Sequence, residues 1–167
     1  MCACAVLDVF YNSFVYAISA SRSPTLKERS DLFMNRHEAR EAALGLVFEK
    51  SFKLDEDASK LYEIAMSERE IEDDEYARRV LSGVYENLEK IDTLISEAAK
   101  GWKLDRMSKV SLSVMRLCVY ELLFEEEIPS SVSLNEAVEL AKKFDDDDAP
   151  AFVNGVLNTI AKKLGTK

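Results

Sequence analysis

The residues best suited to chemistry stand at the head of the first strong helical pattern: Arg36, His37 and Arg40 in RHEAREAALGLVF, residues 36–48. At helical spacing Arg36 and Arg40 are i,i+4 neighbours, and His37, Arg40, Leu44 and Phe48 follow one side of the cylinder. That side is expected to lie off the core face. Cations followed by an exposed ring suit a single-stranded nucleic acid, because cations track phosphates while rings stack on bases. The same arginines could instead pair with Glu38, Glu41 or a more distant acid. Composition alone leaves both readings open.

Catalysis has far less to draw on. His37 is the one histidine, and no nucleophile elbow, phosphate-cradling glycine loop or metalloprotease signature occurs. No enzymatic activity, metal or cofactor is therefore expected. Cys2, Cys4 and Cys118 have neither zinc-site spacing nor a disulfide framework, which points to a reducing, cytoplasmic setting. Cys118, inside VMRLCVYELLF, is expected to behave as a small buried hydrophobe. The aspartates at 145–148 lack the spaced ligands and turn glycine of a calcium loop, and read as a solvated loop that caps the last helix. Arg116 and Glu121 fall within an apolar run, where a satisfied polar pair or a snorkelling side chain is expected. Gly83 and Gly155 read as sites of close helix packing.

The chain has 167 residues and a formal net charge of −9, with the acidity concentrated in one stretch. Residues 51–100 carry seven basic against fourteen acidic side chains, whereas 34–50 are balanced. Such a body excludes non-specific coating of nucleic acid, which depends on phosphate neutralisation. A small local basic site remains compatible with it.

The elements that must position these residues are helices. Ala39, Ala42, Ala43, Leu46 and Val47 define a first amphipathic helix, and Leu61, Ile64 and Ala65 a second across 58–67. Acids at 72–75 open a third, with Tyr76, Val80, Leu81, Val84 and Leu88 as its buried stripe. After a break within 87–92, Ile91, Leu94, Ile95 and Ala98 give a fourth that Gly101 closes. Residues 110–124 are apolar on nearly every side, which predicts a central, surrounded helix. Pro129 stops it, Ser133 and Glu136 form an S-x-x-E capping box for the next, and Asp148 with Pro150 suits the first turn of the last. With no strand alternation in view, the fold is all-α with about seven helices.

Residues 1–33 contain an apolar stretch but no basic start, and Asp8 and Asn12 interrupt it, so no secretory signal is expected. No run reaches the ~20 apolar residues of a spanning helix. Residues 1–33 are read as an N-terminal extension and 34–167 as the folded domain, with Met34 the functional start.

An ordered set of motifs resembles the NusB family of transcription antitermination factors. They are R-x-x-x-R-E-A-A-L-x-L-V-F at 36–48, W-K-L-D-R at 102–106, V-M-R-L-C-V-Y-E-L-L-F at 114–124, I-P at 128–129, S-L-N-E-A-V-E-L-A-K-K-F at 133–144 and F-V-N-G-V-L at 152–157. The resemblance implies two packed helical subdomains without catalytic activity. It also implies pairing with the ribosomal protein NusE, binding of single-stranded boxA RNA from ribosomal RNA leaders, and action with other Nus factors on RNA polymerase. The family's arginine-rich start maps onto Arg36, His37 and Arg40. Phe48 matches an aromatic position near the partner and RNA surfaces, while Phe144 and Phe152 match aromatic positions at the RNA edge, although each also fits a core stripe. Arg106, Lys142 and Lys143 are electrostatic candidates. Two departures are that Glu38 interrupts the basic cluster and that the aspartates at 145–148 place negative charge by the RNA loop, so dependence on the partner is expected to be strong. The alternatives are a helical protein–protein adaptor without RNA contact, or the NusB-like domain of ribosomal RNA methyltransferases, disfavoured because the sequence ends soon after the last helix.

Overall fold

The computed structural model describes residues 36–69 and 73–165, so the expectations for residues 1–33 and for Met34 lie outside it. The described residues form seven α-helices and no strand: α1 (Arg36–Lys50), α2 (Ala58–Arg69), α3 (Glu75–Glu86), α4 (Leu88–Ala98), α5 (Lys109–Phe124), α6 (Ser130–Phe144) and α7 (Ala149–Leu164). A 3₁₀ turn, Leu104–Arg106, links α4 to α5.

Helix α5 is the axis. Every residue from Ser111 to Glu121 is buried, as the all-round apolar run requires. On one side α1 packs on α3, with α2 against both; on the other α6 and α7 pack on each other, with α4 against α7. The helix α5 touches both groups and joins them into one core.

Local chemistry sets the helix ends. Asp74 caps α3 by accepting from the Ala77 amide at 2.8 Å, and Ser108 caps α5 by accepting from Val110 and Ser111. The break between α3 and α4 is a single residue, Asn87, whose backbone N–H and side-chain amide both donate to the Gly83 carbonyl. Gly101 adopts φ +84°, the left-handed conformation that lets the chain turn away after α4.

Two capping expectations are corrected. Ser133 does not cap α6, because Pro129, at φ −58° and ψ 134°, starts that helix a turn earlier. Ser133 is consequently buried inside the first turns, and Glu136 is free to reach another helix. At α7 the side chain of Asp148 makes no cap bond; Asp146 accepts from the Ala149 amide at 2.9 Å instead. Asp145 is not simply solvated either, since Ser108 and Ser111 donate to its Oδ2 at 2.8 and 2.5 Å. That acid fastens the end of α6 to the start of α5.

The two buried ionic side chains of α5, Arg116 and Glu121, do not pair with one another. Arg116 makes a two-bond contact with Asp92 of α4, at 2.8 and 2.7 Å, while Glu121 takes Arg40 of α1. Each of these buried charges therefore anchors a different half of the molecule.

Candidate nucleic-acid interface

The basic head of α1 divides into an exposed and a buried part. Arg36, at the first position of the helix, is exposed. Arg40 is only 2% exposed and donates from Nε to Glu121 Oε1 at 2.9 Å. This corrects the expectation that Arg40 projects into solvent. Its guanidinium also donates to the Arg36 carbonyl at 3.3 Å and sits 5.8 Å from the centre of the Tyr76 ring. The Tyr76 hydroxyl donates to the same Glu121 oxygen, and burial, with Glu121 beside it, pushes that phenol well above its ordinary range. Arg40 thus serves as a neutralised internal post between α1, α3 and α5.

Leu44 and Phe48 are buried as well, so the side of α1 expected off the core is in fact covered. Phe48 meets Phe52 edge-on with ring centres 5.1 Å apart, and Phe52 is the exposed member. Lys109, at the start of α5, lies 5.9 Å from the Phe52 ring.

His37 remains half-exposed and is held between two carboxylates. Its Nδ1 is 2.7 Å from Glu136 Oε2 on α6, and its Nε2 is 3.1 Å from Glu41 Oε1. Glu41 Oε1 also accepts from Lys143 at 2.5 Å. The seam between α1 and α6 therefore gathers His37, Arg40 and Lys143 around Glu41 and Glu136, while Arg36 lies on the side of α1 that faces Tyr76 and Arg79 of α3. Phe144 continues it, partly buried against the core, with the Lys143 ammonium 5.1 Å from its ring centre. Lys142 is exposed and bonded to Glu139 at 2.6 Å.

Beyond Phe144 the surface passes through Asp145 and Ser108 to the loop before α5. Arg106 is exposed in that loop. Phe152, in the first turn of α7, is partly buried against the core, and its outer side meets Trp102 with ring centres 5.3 Å apart. Trp102 is 55% exposed. The W-K-L-D-R motif contained this residue without marking it as a site. A large aromatic left in water beside Lys103 and Arg106 is the signal that picks it out.

Burial places the Cys118 thiol well above its ordinary range, leaving it protonated and inert. Among the described residues no group of histidine, cysteine and acidic side chains could hold a metal ion, and no helix is long and apolar enough to cross a membrane.

Known proteins share this fold and much of this sequence. A model of the NusB family matches residues 37–162. The transcription antitermination protein NusB of Natranaerobius thermophilus is 43% identical over 135 residues, spanning 78% of this chain and 97% of that protein. A T. maritima NusB structure superposes with a TM-score of 0.72 at 39% identity, covering 79% of this chain and 94% of the other. A crystal structure of the antitermination factors NusB and NusE in complex with double-stranded RNA matches with a TM-score of 0.68 at 29% identity, covering 78% and 99% of the two chains.

Proposed function

The chain belongs to the NusB family, and from that premise we propose that it is a cytoplasmic, non-catalytic transcription antitermination factor that binds single-stranded boxA RNA of ribosomal RNA leaders together with NusE. In this reading it works within an RNA polymerase complex containing other Nus factors. The division into a domain at 34–167 and an N-terminal extension at 1–33 belongs to the same proposal. The likeness to a NusB that has been crystallised with NusE and RNA, over nearly the whole of that chain, carries the proposal.

The surface described above supplies a physical route for the RNA. Arg36 at the head of α1 and Lys143 at the α1–α6 seam offer cations, with His37 sharing Glu41 with Lys143, and Arg106 with Lys142 adds charge along the rim. Trp102 with Phe152, and Phe144 beside Lys143, supply ring faces for bases. Arg40 and Phe48 act from beneath by fixing α1. A cationic patch this small on an acidic body gives low unaided affinity, so NusE must contribute a large share of the grip.

One observation favours the adaptor reading as the runner-up: burial of Arg40 and Phe48 removes two of the RNA contacts anticipated on α1. Binding of boxA against scrambled RNA, with and without NusE, separates the two. The RNA reading expects weak binding alone, a clear rise with NusE, and sequence preference. Arg36→Glu should lower affinity and flatten the logarithmic salt slope by ~0.7 for each phosphate it no longer neutralises. Equal affinity for boxA and scrambled RNA, unchanged by Arg36→Glu, would establish the adaptor.

A further inference from the structure

The geometry points to a self-neutralised RNA edge: Glu41 and Glu136 act as built-in competitors that occupy His37 and Lys143 until RNA phosphate displaces them. The inference rests on the RNA-binding reading of this same surface.

The carboxylates and cations of the seam are layered. The side chains of His37 and Lys143 are 43% and 42% exposed, whereas those of Glu41 and Glu136 are 10% and 25% exposed. His37 and Lys143 thus face solvent while the acids lie beneath them. Both ring nitrogens of His37 are aimed at carboxylates, at 3.1 Å to Glu41 and 2.7 Å to Glu136. Glu41 Oε1 is shared between His37 and Lys143, and Glu136 Oε2 also lies 3.8 Å from Arg40. With Arg40 matched by Glu121, the acids of this edge are all committed to Arg40, Lys143 and His37.

A phosphate approaching this edge meets positive groups whose field is cancelled from below. It must draw His37 and Lys143 away from acids already within hydrogen-bonding distance. Non-specific RNA has little beyond charge to offer and is turned away. A strand that also stacks its bases and contacts NusE can meet the cost. The acids would therefore raise selectivity at the expense of affinity.

The test uses the full chain with NusE and a boxA single strand titrated over a range of salt. Glu136→Gln and Glu41→Gln keep side-chain shape and an acceptor oxygen but remove the competing charge. Each is expected to tighten RNA binding by ~2- to 5-fold, in line with single exposed charge pairs. The salt slope should steepen by up to ~0.7 as a further phosphate is engaged. Glu63→Gln, an exposed change of the same charge on α2, controls for the lower overall acidity and should bind like the unaltered protein. Glu136 is the more exposed of the two acids, so its variant decides the matter should Glu41→Gln not fold. Equal binding by Glu136→Gln and the unaltered protein, or equal tightening by Glu63→Gln, overturns the inference while leaving RNA binding intact. Absence of RNA binding by the unaltered protein with NusE overturns both.

Discussion

Arg40 and Glu121 meet inside the protein, Nε to Oε1 at 2.9 Å, across 81 residues of sequence and almost wholly out of water. A buried pair of this kind adds little net stability over an apolar one, but removing one partner strands the other charge. Arg40→Ala should therefore cost ~3–5 kcal/mol, and Arg40→Met with Glu121→Gln, which keeps an acceptor for Tyr76, should recover most of it. Urea denaturation, comparing midpoints at constant slope, measures both. A change under ~1 kcal/mol for Arg40→Ala, the scale of a surface pair, would show that Arg40 does not bear on the core.

The two helical glycines should respond in opposite directions. A methyl group at Gly83 would fall within the Tyr120 ring, and that ring is itself buried. Gly83→Ala must separate α3 from α5 and should cost ~1–3 kcal/mol. At Gly155 a Cβ meets nothing within 4 Å, and the residue is exposed within α7. Gly155→Ala should stabilise the fold by ~1 kcal/mol, which corrects the expectation that both glycines serve internal packing. Thermal melts of the two variants check the sign, and destabilisation at Gly155 would contradict the exposed placement.

The two glycines differ in what can be read locally, and so do the helices. Apolar period located all seven helices, and the unbroken run at 110–124 marked α5 as central, because both signals depend on neighbours within a few turns. The first helix misled because burial wraps most of its circumference: Arg40, Glu41, Glu49 and Lys50 are covered along with Leu44 and Phe48. A charged residue looks like a solvent marker until its partner is known, and Glu121 is supplied by a helix far along the chain. Ser133 and Glu136 carry a sound capping pattern, but the proline four residues upstream of Ser133 has already begun the helix. Trp102 stands in the W-K-L-D-R motif, yet only the fold places it against Phe152. Basic character at Arg36 and His37 was legible, and so was Glu41 one turn along the same helix; Glu136, supplied by α6, was not assignable from spacing.

Alkaline pH should expose a second set of buried groups. Burial pushes the Tyr85 phenol up to about 12 from an ordinary 10.0, with Arg116 opposing and Asp92 reinforcing the shift. Its hydroxyl donates to the Val47 carbonyl at 2.8 Å, joining α3 to α1. Because the folded state holds this proton more tightly, its stabilisation is fully present below pH 10 and is lost as pH rises from about 10 towards 12. Tyr76 shifts in the same direction and adds to the decline. Tyr85→Phe should lose ~1 kcal/mol at neutral pH, for the hydrogen bond, yet show a shallower decline than the unaltered protein across the alkaline range where Tyr85 titrates. Parallel stability curves for the variant and the unaltered protein would rule out this linkage.

Trp102 and Phe152 offer the most direct test of where bases would stack. Their ring centres are 5.3 Å apart, but their structural duties differ: Trp102 is largely in water, while Phe152 also packs on the core. Trp102→Ala should therefore leave the melting temperature close to that of the unaltered protein and weaken boxA binding by ~1–3 kcal/mol, the usual cost of removing one stacked base. Phe152→Ala should lower both affinity and stability, and Trp102→Phe should retain part of the binding. Trp102 is the only tryptophan in the chain, so its fluorescence reports the site without a label. Quenching that saturates with boxA and NusE, and reverses with salt, is the expected signature. RNA binding of full strength by Trp102→Ala, with no change in tryptophan emission when RNA is added to the unaltered protein, would move the stacking site elsewhere on the rim and leave Phe144 as the ring to test.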